Sequence, residues 1–324
     1  MAERGRWSPV AILEWALVVS LGKLFAWLPE SVAYALGEGA GGLAFSLDRR
    51  HRTITVENLT RAFPGKYTPA EIERLARAVF ENLGRTAVDV ARSDRLLDTR
   101  NLDAFHVDGL KRLQEASRRG KGVLGITAHF GPWELLPLAT VWHGRAYFVA
   151  RPLDNPWLDD LFTTMRERGG NRLIRKRDAV QAILQALRRG KTVGILIDQH
   201  SSEREGVVVP FFGQPASTAF APALIAMRSG AAVLPVVTLH DGPGRYRVLI
   251  GDEVPVRRSG NLKADLAENT ARFTAAIEAF IRRYPDRWFW VHRRWKTQEP
   301  LDPHLEKHSP PEQPQPVQVT SMGR

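Results

Sequence analysis

Between residues 105 and 197 the sequence alternates short apolar runs with amphipathic stretches, and few folds accept that order. The runs occupy 105–107, 123–128, 146–149, 172–174 and 193–197, and helical spacing covers 109–118, 132–141, 155–168 and 178–188 between them. Strands alternating with helices call for an α/β architecture, a largely parallel sheet flanked by helices. Gly120, Gly169, Gly190 and Gly230 sit where those helices should end. Beyond Gly206 come runs at 207–212, 233–238 and 246–250. A Gly-Gln-Pro turn, a helix from about Thr218 to Arg228 and a last long helix from about Leu262 to Arg283 complete the pattern. Asp241-Gly242-Pro243-Gly244 lies between two of the runs and predicts a hairpin, so the sheet should be mixed.

The N-terminal part follows different rules. Thr68-Pro69-Ala70-Glu71 is a helix start, with threonine at the cap, proline at the first position and glutamate at the third; Ile72, Leu75, Ala76, Val79, Phe80 and Leu83 continue as a packing stripe. Residues 9–28 are apolar, follow Arg4 and Arg6, and are bracketed by Trp7, Trp15 and Trp27. Pro29-Glu30 is no signal-peptidase site, so the segment reads as a membrane-anchoring helix. About 20 residues just cross the hydrocarbon, but Glu14 and Lys23 interrupt the run and project to opposite sides. Spanning, lying in the interface, and burial as a core helix all stay open. Gly37, Gly39, Gly41 and Gly42 would let helices approach closely. Arg49-Arg50-His51-Arg52 would be drawn to an anionic leaflet, or would form an ordinary solvated helix face. The expected organisation is a membrane-associated segment at 1–47, an α/β domain at 48–298, and a disordered Pro- and Gln-rich tail at 299–324.

Forty-six basic against 35 acidic residues leave a charge of +11, which favours anionic partners: nucleic acid, acidic lipid headgroups or an acidic protein. Neither a zinc-finger spacing nor an aromatic RNP-like strand is present, which argues against nucleic acid. The absence of cysteine excludes disulfides and thiolate metal sites.

One stretch carries chemistry. The run at 123–128 ends in His129-Phe130-Gly131-Pro132-Trp133-Glu134, a strand end, a tight turn and a helix start. With Pro132 at the first helical position, Glu134 falls in the first turn and can meet His129 across the turn. An imidazole held on one nitrogen by a carboxylate can take a proton on the other, which makes His129 and Glu134 a candidate general-base dyad. The alternative is a hydrogen-bonded structural histidine. His200 with Glu205 repeats the spacing, but in a charged stretch with no helix to hold the glutamate. Neither Gly-x-Ser-x-Gly nor His-Glu-x-x-His occurs, so a serine acyl-enzyme and a zinc site are not indicated.

The His-x4-Glu stretch resembles the signature of the glycerolipid-type acyltransferases, in particular the bacterial lipid A late acyltransferases. Further pieces appear in that family's order. They are Asn58-Leu59 with Phe63-Pro64, Val149-Ala150-Arg151-Pro152-Leu153, Arg166 with Gly169, Asp198-Gln199, the stretch 209–218, Val233-Leu234-Pro235-Val236, and Trp288-Phe289-Trp290-Val291-His292-Arg293-Arg294-Trp295. The resemblance implies a membrane-associated enzyme that moves a fatty acyl group from acyl carrier protein to a hydroxyl of a phosphorylated glycolipid, a lipid A precursor. It implies no metal or redox cofactor, and an inner-membrane location with the catalytic domain on the cytoplasmic face. An acyl-coenzyme A donor with a lysophospholipid or mannosylated acceptor is the neighbouring reading. The competing class is a non-catalytic basic membrane-binding protein. By the resemblance Arg151 is a substrate-binding candidate, and it could equally be a surface partner of Asp154. Arg166, ahead of the basic cluster Arg175-Lys176-Arg177, is a second, phosphate-side candidate, and the cluster itself could be only a solvated loop. Asp198 is expected beside the active site, orienting a basic residue or the dyad, or else only capping a loop. Phe211, Phe212, Trp288, Trp290 and Trp295 either line an acyl slot or form core.

Overall fold

The computed structural model describes residues 8–97, 104–140, 145–175 and 179–296. The expected tail at 299–324 lies outside the described residues.

Four helices come first: α1 (Pro9–Trp27), α2 (Glu30–Leu47), α3 (Arg49–Ala62) and α4 (Pro69–Ala91). The capping box forms as expected, with Thr68 N donating to Glu71 Oε2 at 2.8 Å and Glu71 N donating to Thr68 Oγ1 at 3.3 Å. Gly37 and Gly41 of α2 do serve close approach, within the protein, whereas Gly39 faces open space. A Cβ on Gly41 would collide with the Phe80 carbonyl of α4, and one on Gly84 with the Gly37 carbonyl.

The alternating part follows as β1 (Phe105–Asp108), α5 (Leu110–Arg118), β2 (Val123–Thr127), α6 (Leu136–Ala139), β3 (Ala146–Ala150), α7 (Pro156–Glu167), β4 (Arg172–Arg175), α8 (Ala179–Arg188) and β5 (Thr192–Leu196). It continues with β6 (Gly206–Phe211), β7 (Gln214–Ala219), α9 (Ala221–Ser229), β8 (Ala232–His240), β9 (Tyr246–Ile250) and α10 (Leu262–Arg283). Seven strands form one sheet in the order β1-β9-β8-β2-β5-β3-β4, parallel at every junction except the β8–β9 hairpin. The mixed, mostly parallel sheet flanked by helices is therefore the fold read from the sequence.

Two local expectations fail. Instead of a helix over 132–141, a single 3-10 turn spans Trp133–Leu135 and α6 is one turn long, because Pro137 interrupts the pattern. Residues 214–219 form β7, paired antiparallel with β6, rather than a turn leading into a helix at Thr218. The reversal occurs at Phe212-Gly213, where both residues have positive φ. Fully buried Arg294 holds the strand form by donating to Ser217 O at 2.7 Å and to Thr218 Oγ1 at 2.5 Å.

Every residue of β2 is buried, and its two faces meet different cores. Leu124, Ile126 and Ala128 join the larger core with Ile183, Phe273, Ile277, Trp288 and Trp290, whereas Val123 joins Ala116, Leu135 and Leu234 on the opposite face. A strand with core on both sides can hold its C-terminal end rigidly, and that end carries His129.

Candidate active site

β2 and β5 are parallel neighbours, with Thr127 opposite Leu196. His129 and Asp198 each lie two residues beyond that pair, at the carboxyl edge where open α/β sheets place their ligands. The register brings them together. Asp198 accepts from His129 Nδ1 at 2.9 Å and from the His129 backbone N–H at 2.8 Å. The indole N–H of Trp288 adds a third bond at 2.8 Å. A carboxylate accepting three donors is ionised. Burial alone would raise its pKa, but the His129 charge and the hydrogen bonds hold it well below the usual carboxylate range.

The consequence for His129 is a fixed tautomer. With Nδ1–H donated to Asp198, the neutral ring presents Nε2 as an acceptor, and that nitrogen faces the exposed side, 3.4 Å from the Gln199 amide nitrogen. Burial pulls the imidazole pKa down. The Asp198 charge, its hydrogen bond and the more distant charge of Glu134 outweigh that and raise it above the ordinary value, against the opposing charge of Arg166. Trp133 and Phe289 flank the ring, at centroid distances of 5.4 and 6.0 Å.

The expected contact between His129 and Glu134 is not the one formed. Glu134 Oε2 and Oε1 accept from Arg166 Nε at 2.8 Å and Nη2 at 2.6 Å, a bidentate pair, both side chains being largely buried. The physical reason is again the short 3-10 turn, which sends the glutamate toward α7 while Asp198 already occupies Nδ1. Glu134 therefore acts on His129 through its charge and holds Arg166, whose Nη1 is buried with no partner among the described residues.

The turn itself is clamped. Phe289 N–H donates to His129 O at 2.9 Å and Gly131 N–H donates to Arg287 O at 2.7 Å. Thr86 of α4 adds a bond to Gly131 O at 3.3 Å. Gly131 has φ +53°, and a Cβ there would strike the Thr238 carbonyl, so the close passage requires glycine.

The other sequence candidates are placed differently. Arg151 is exposed and pairs with Asp154 at 3.7 Å. Arg175 pairs with Asp159 at 2.6 Å, and its expected companion Arg177 lies outside the described residues. His200 Nδ1 is buried without a partner among the described residues, so Nδ1 is not held by Glu205. Phe211, Trp288 and Trp290 are core, although Trp288 also reaches Asp198. Sequence reasoning missed the Trp288 role. It named Asn58 only as a piece of the resemblance, without a role; the side chain donates to Trp290 O at 2.7 Å and His292 O at 2.8 Å and so ties α3 to the segment behind the site.

An apolar cavity lies on the Val123 face of the sheet, lined by Val123, Gly125, Phe148, Gly194, Leu234 and Val236 among others. Gly125 and Gly194 are register partners, so two missing side chains side by side help to open it. By strand alternation His129 leaves β2 with the parity of Val123, Gly125 and Thr127, the residues that line it.

The chain is similar to known acyltransferases. The chain is 28% identical over 274 residues to a lipid A biosynthesis lauroyltransferase of Escherichia coli (strain K12), covering 83% of this chain and 87% of that protein. It is 28% identical over 293 residues to a lipid A biosynthesis palmitoleoyltransferase of the same strain, covering 87% and 92%. A phosphatidylinositol mannoside acyltransferase of Mycobacterium tuberculosis (strain CDC 1551 / Oshkosh) is 28% identical over 249 residues, covering 74% and 75%. The model of the bacterial lipid A biosynthesis acyltransferases matches residues 5–297, nearly the whole chain, and the protein belongs to that family of acyltransferases.

Proposed function

We propose that the protein transfers a fatty acyl group from the thioester of acyl carrier protein to a hydroxyl of a lipid A precursor, at the cytoplasmic face of the inner membrane. The observation that carries the proposal is the His129 imidazole, locked through Nδ1 by a buried carboxylate with Nε2 left facing outward. In the reaction Nε2 takes the proton of the acceptor hydroxyl as its oxygen attacks the thioester carbon. The carbon–sulfur bond then breaks, and the proton passes from the imidazolium to the leaving thiolate. Asp198 holds the tautomer and stabilises the imidazolium. Glu134 contributes its charge and keeps Arg166 in place, where the guanidinium can meet an anionic oxygen of the substrate.

Three further points support the reading. The apolar cavity beside β2 suits a hydrocarbon chain. The charge of +11 suits an acidic carrier protein and a phosphorylated acceptor. The exposed apolar α1 suits work at a membrane. A relative named for a mannoside acceptor keeps the acceptor's sugar open to test.

The test is transfer by the purified full-length protein, read by mass spectrometry of the acceptor. Acyl carrier protein and coenzyme A thioesters are offered in parallel, and phosphorylated diglucosamine and mannosylated lipids are the acceptors. The expected product is the diglucosamine lipid carrying one more acyl chain, formed faster from the carrier protein and more slowly as salt rises from about 50 to 500 mM. His129→Ala should lower the rate by about 10²-fold or more. Near-normal transfer in that variant would remove the proposed base. A preference for coenzyme A or for the mannosylated lipid would replace the donor or the acceptor.

A further inference from the structure

Helix α1 is long and apolar enough to cross a bilayer, and one face of it is bare: Val10, Leu13, Leu17, Leu21, Leu24 and Trp27 are all exposed. Their spacing of three and four residues places them on one side. The opposite side, through Ala11, Trp15 and Phe25, rests on the rest of the protein.

Both ends of α1 are fastened. Near the start, Asn155 Nδ2 donates to Ala11 O at 2.8 Å and to Glu14 Oε2 at 3.0 Å, and Trp15 packs on Trp157 of α7 at a centroid distance of 5.7 Å. At the other end Arg92 Nη1 donates to Phe25 O and Leu28 O, both at 2.8 Å, and Arg95 donates to Ala26 O. These arginines satisfy carbonyls that a helix end leaves open. The surroundings of both ends are polar. Next to Asn155, the Asp154 side chain is 99% exposed and that of Arg151 79%. Next to Arg95, the Asp94 side chain is 76% exposed.

A helix of 19 residues is roughly 28 Å long, close to the thickness of the hydrocarbon layer. Were it upright, one of these charged ends would stand inside or beyond the bilayer together with the part of the protein bonded to it. Solvent-exposed ion pairs such as Arg151–Asp154 and Arg168–Asp94 are not left in hydrocarbon. We infer that α1 does not cross the membrane but lies along it, its bare face sunk into one leaflet and both ends at headgroup level. The occupant of the face is lipid. Exposed Leu153 and Leu161 extend the apolar surface past α1. Leu161 belongs to α7, the helix that also carries Arg166. Arg49, Arg50 and Arg52 follow at the end of α2, where anionic headgroups would meet them. The inference rests on the reading that the protein works at a membrane.

The chain has no cysteine, so single cysteines can be introduced directly into the full-length protein. Spin labels on Leu13→Cys and Leu24→Cys, in vesicles of phosphatidylethanolamine and phosphatidylglycerol, report depth by power saturation with oxygen and an aqueous paramagnet. The labels are about 16 Å apart along the helix axis. Equal depths, roughly 5–10 Å below the headgroups with high oxygen access, are expected. Depths differing by most of that 16 Å would overturn the inference, as would labels shielded from both reagents, which would mean that a second copy covers the face. In a parallel assay an impermeant maleimide should label Ser8→Cys and Lys111→Cys from the same side of sealed vesicles; opposite sides mean a spanning helix. Flotation of the same vesicles separates the two readings. Protein that floats with unequal depths defeats only the in-plane helix, whereas protein that does not float defeats membrane work altogether.

Discussion

Two histidine–carboxylate pairs stand at the carboxyl edge of neighbouring strands, and only one has the geometry that the proposed base requires. His129, beyond β2, gives Nδ1 to Asp198 and turns Nε2 outward, its side chain 18% exposed. His240, the last residue of β8, gives Nε2 to Asp89 of α4, and its side chain is 6% exposed. The other oxygen of Asp89 accepts from the hydroxyls of Tyr34 and Tyr246, and His240 Nδ1 is buried without a partner among the described residues. Burial in that cluster, together with the Asp89 charge, pushes both tyrosine pKa values far up. The second pair thus joins α2, α4 and the β8–β9 hairpin around a sealed carboxylate. Orientation by a carboxylate is common to both; an outward second nitrogen belongs to the first alone.

The largest expected effect lies at the open pair. Asp198→Asn should lower kcat/KM by about 10²-fold or more, because the amide no longer fixes the tautomer or stabilises the imidazolium. It should also move the pH profile. A base must be neutral, so the wild-type rate falls as pH drops through the His129 pKa, which, against burial, the Asp198 charge and hydrogen bond hold above the ordinary imidazole value. Removing the Asp198 charge leaves only the more distant Glu134 charge against burial and carries that limb to lower pH. Glu134→Gln should shift the limb the same way by less, since Glu134 acts only through its charge, and it frees Arg166. Initial rates from about pH 5 to 9 for the three proteins check the order. A larger loss in Glu134→Gln with an unmoved limb in Asp198→Asn would return the orienting role to the glutamate.

At the sealed pair the effect should fall on stability instead. Asp89→Ala leaves two hydroxyls and an imidazole N–H buried without their acceptor, a change that costs about 3–5 kcal/mol for a buried ionic partner. Unfolding followed by tryptophan fluorescence should show the loss, while the protein that remains folded keeps its pH profile. An altered acid limb with unchanged stability would make the two pairs functionally alike.

The difference between the pairs also marks what the sequence could show. The strand and helix pattern was legible because burial imposes its period on the residues, and the capping box at Thr68 and the hairpin at Asp241 are local signals. His129 was legible for the same reason, at the end of an apolar run. Its partner was not legible from spacing, which pointed to Glu134; only the resemblance placed Asp198 beside the site, orienting a basic residue or the dyad. The bond it forms depends on β2 and β5 being neighbours, which no local pattern encodes. Pro137 was in plain view and should have cut the expected helix at 132–141. Asp89 and His240 give no signal at all, since 151 residues separate them.

The smallest effects should come from two residues that the sequence offered as rivals or helpers. Arg151 has a 79% exposed side chain and a loose 3.7 Å contact to an equally open Asp154, an arrangement that water and salt screen heavily. His200 repeats the His-x4-Glu spacing, but its Nδ1 has no partner among the described residues, and burial with the charges of Lys296 and Arg294 lowers its pKa. A carboxylate holding that ring would raise the value instead, as Asp198 does for His129. Arg151→Ala and His200→Ala should each change kcat/KM by no more than about 2-fold, with the acid limb unmoved, against the 10²-fold scale expected for a general base. A loss in His200→Ala as large as in His129→Ala would mean that the outward nitrogen is not what separates a working histidine from a structural one.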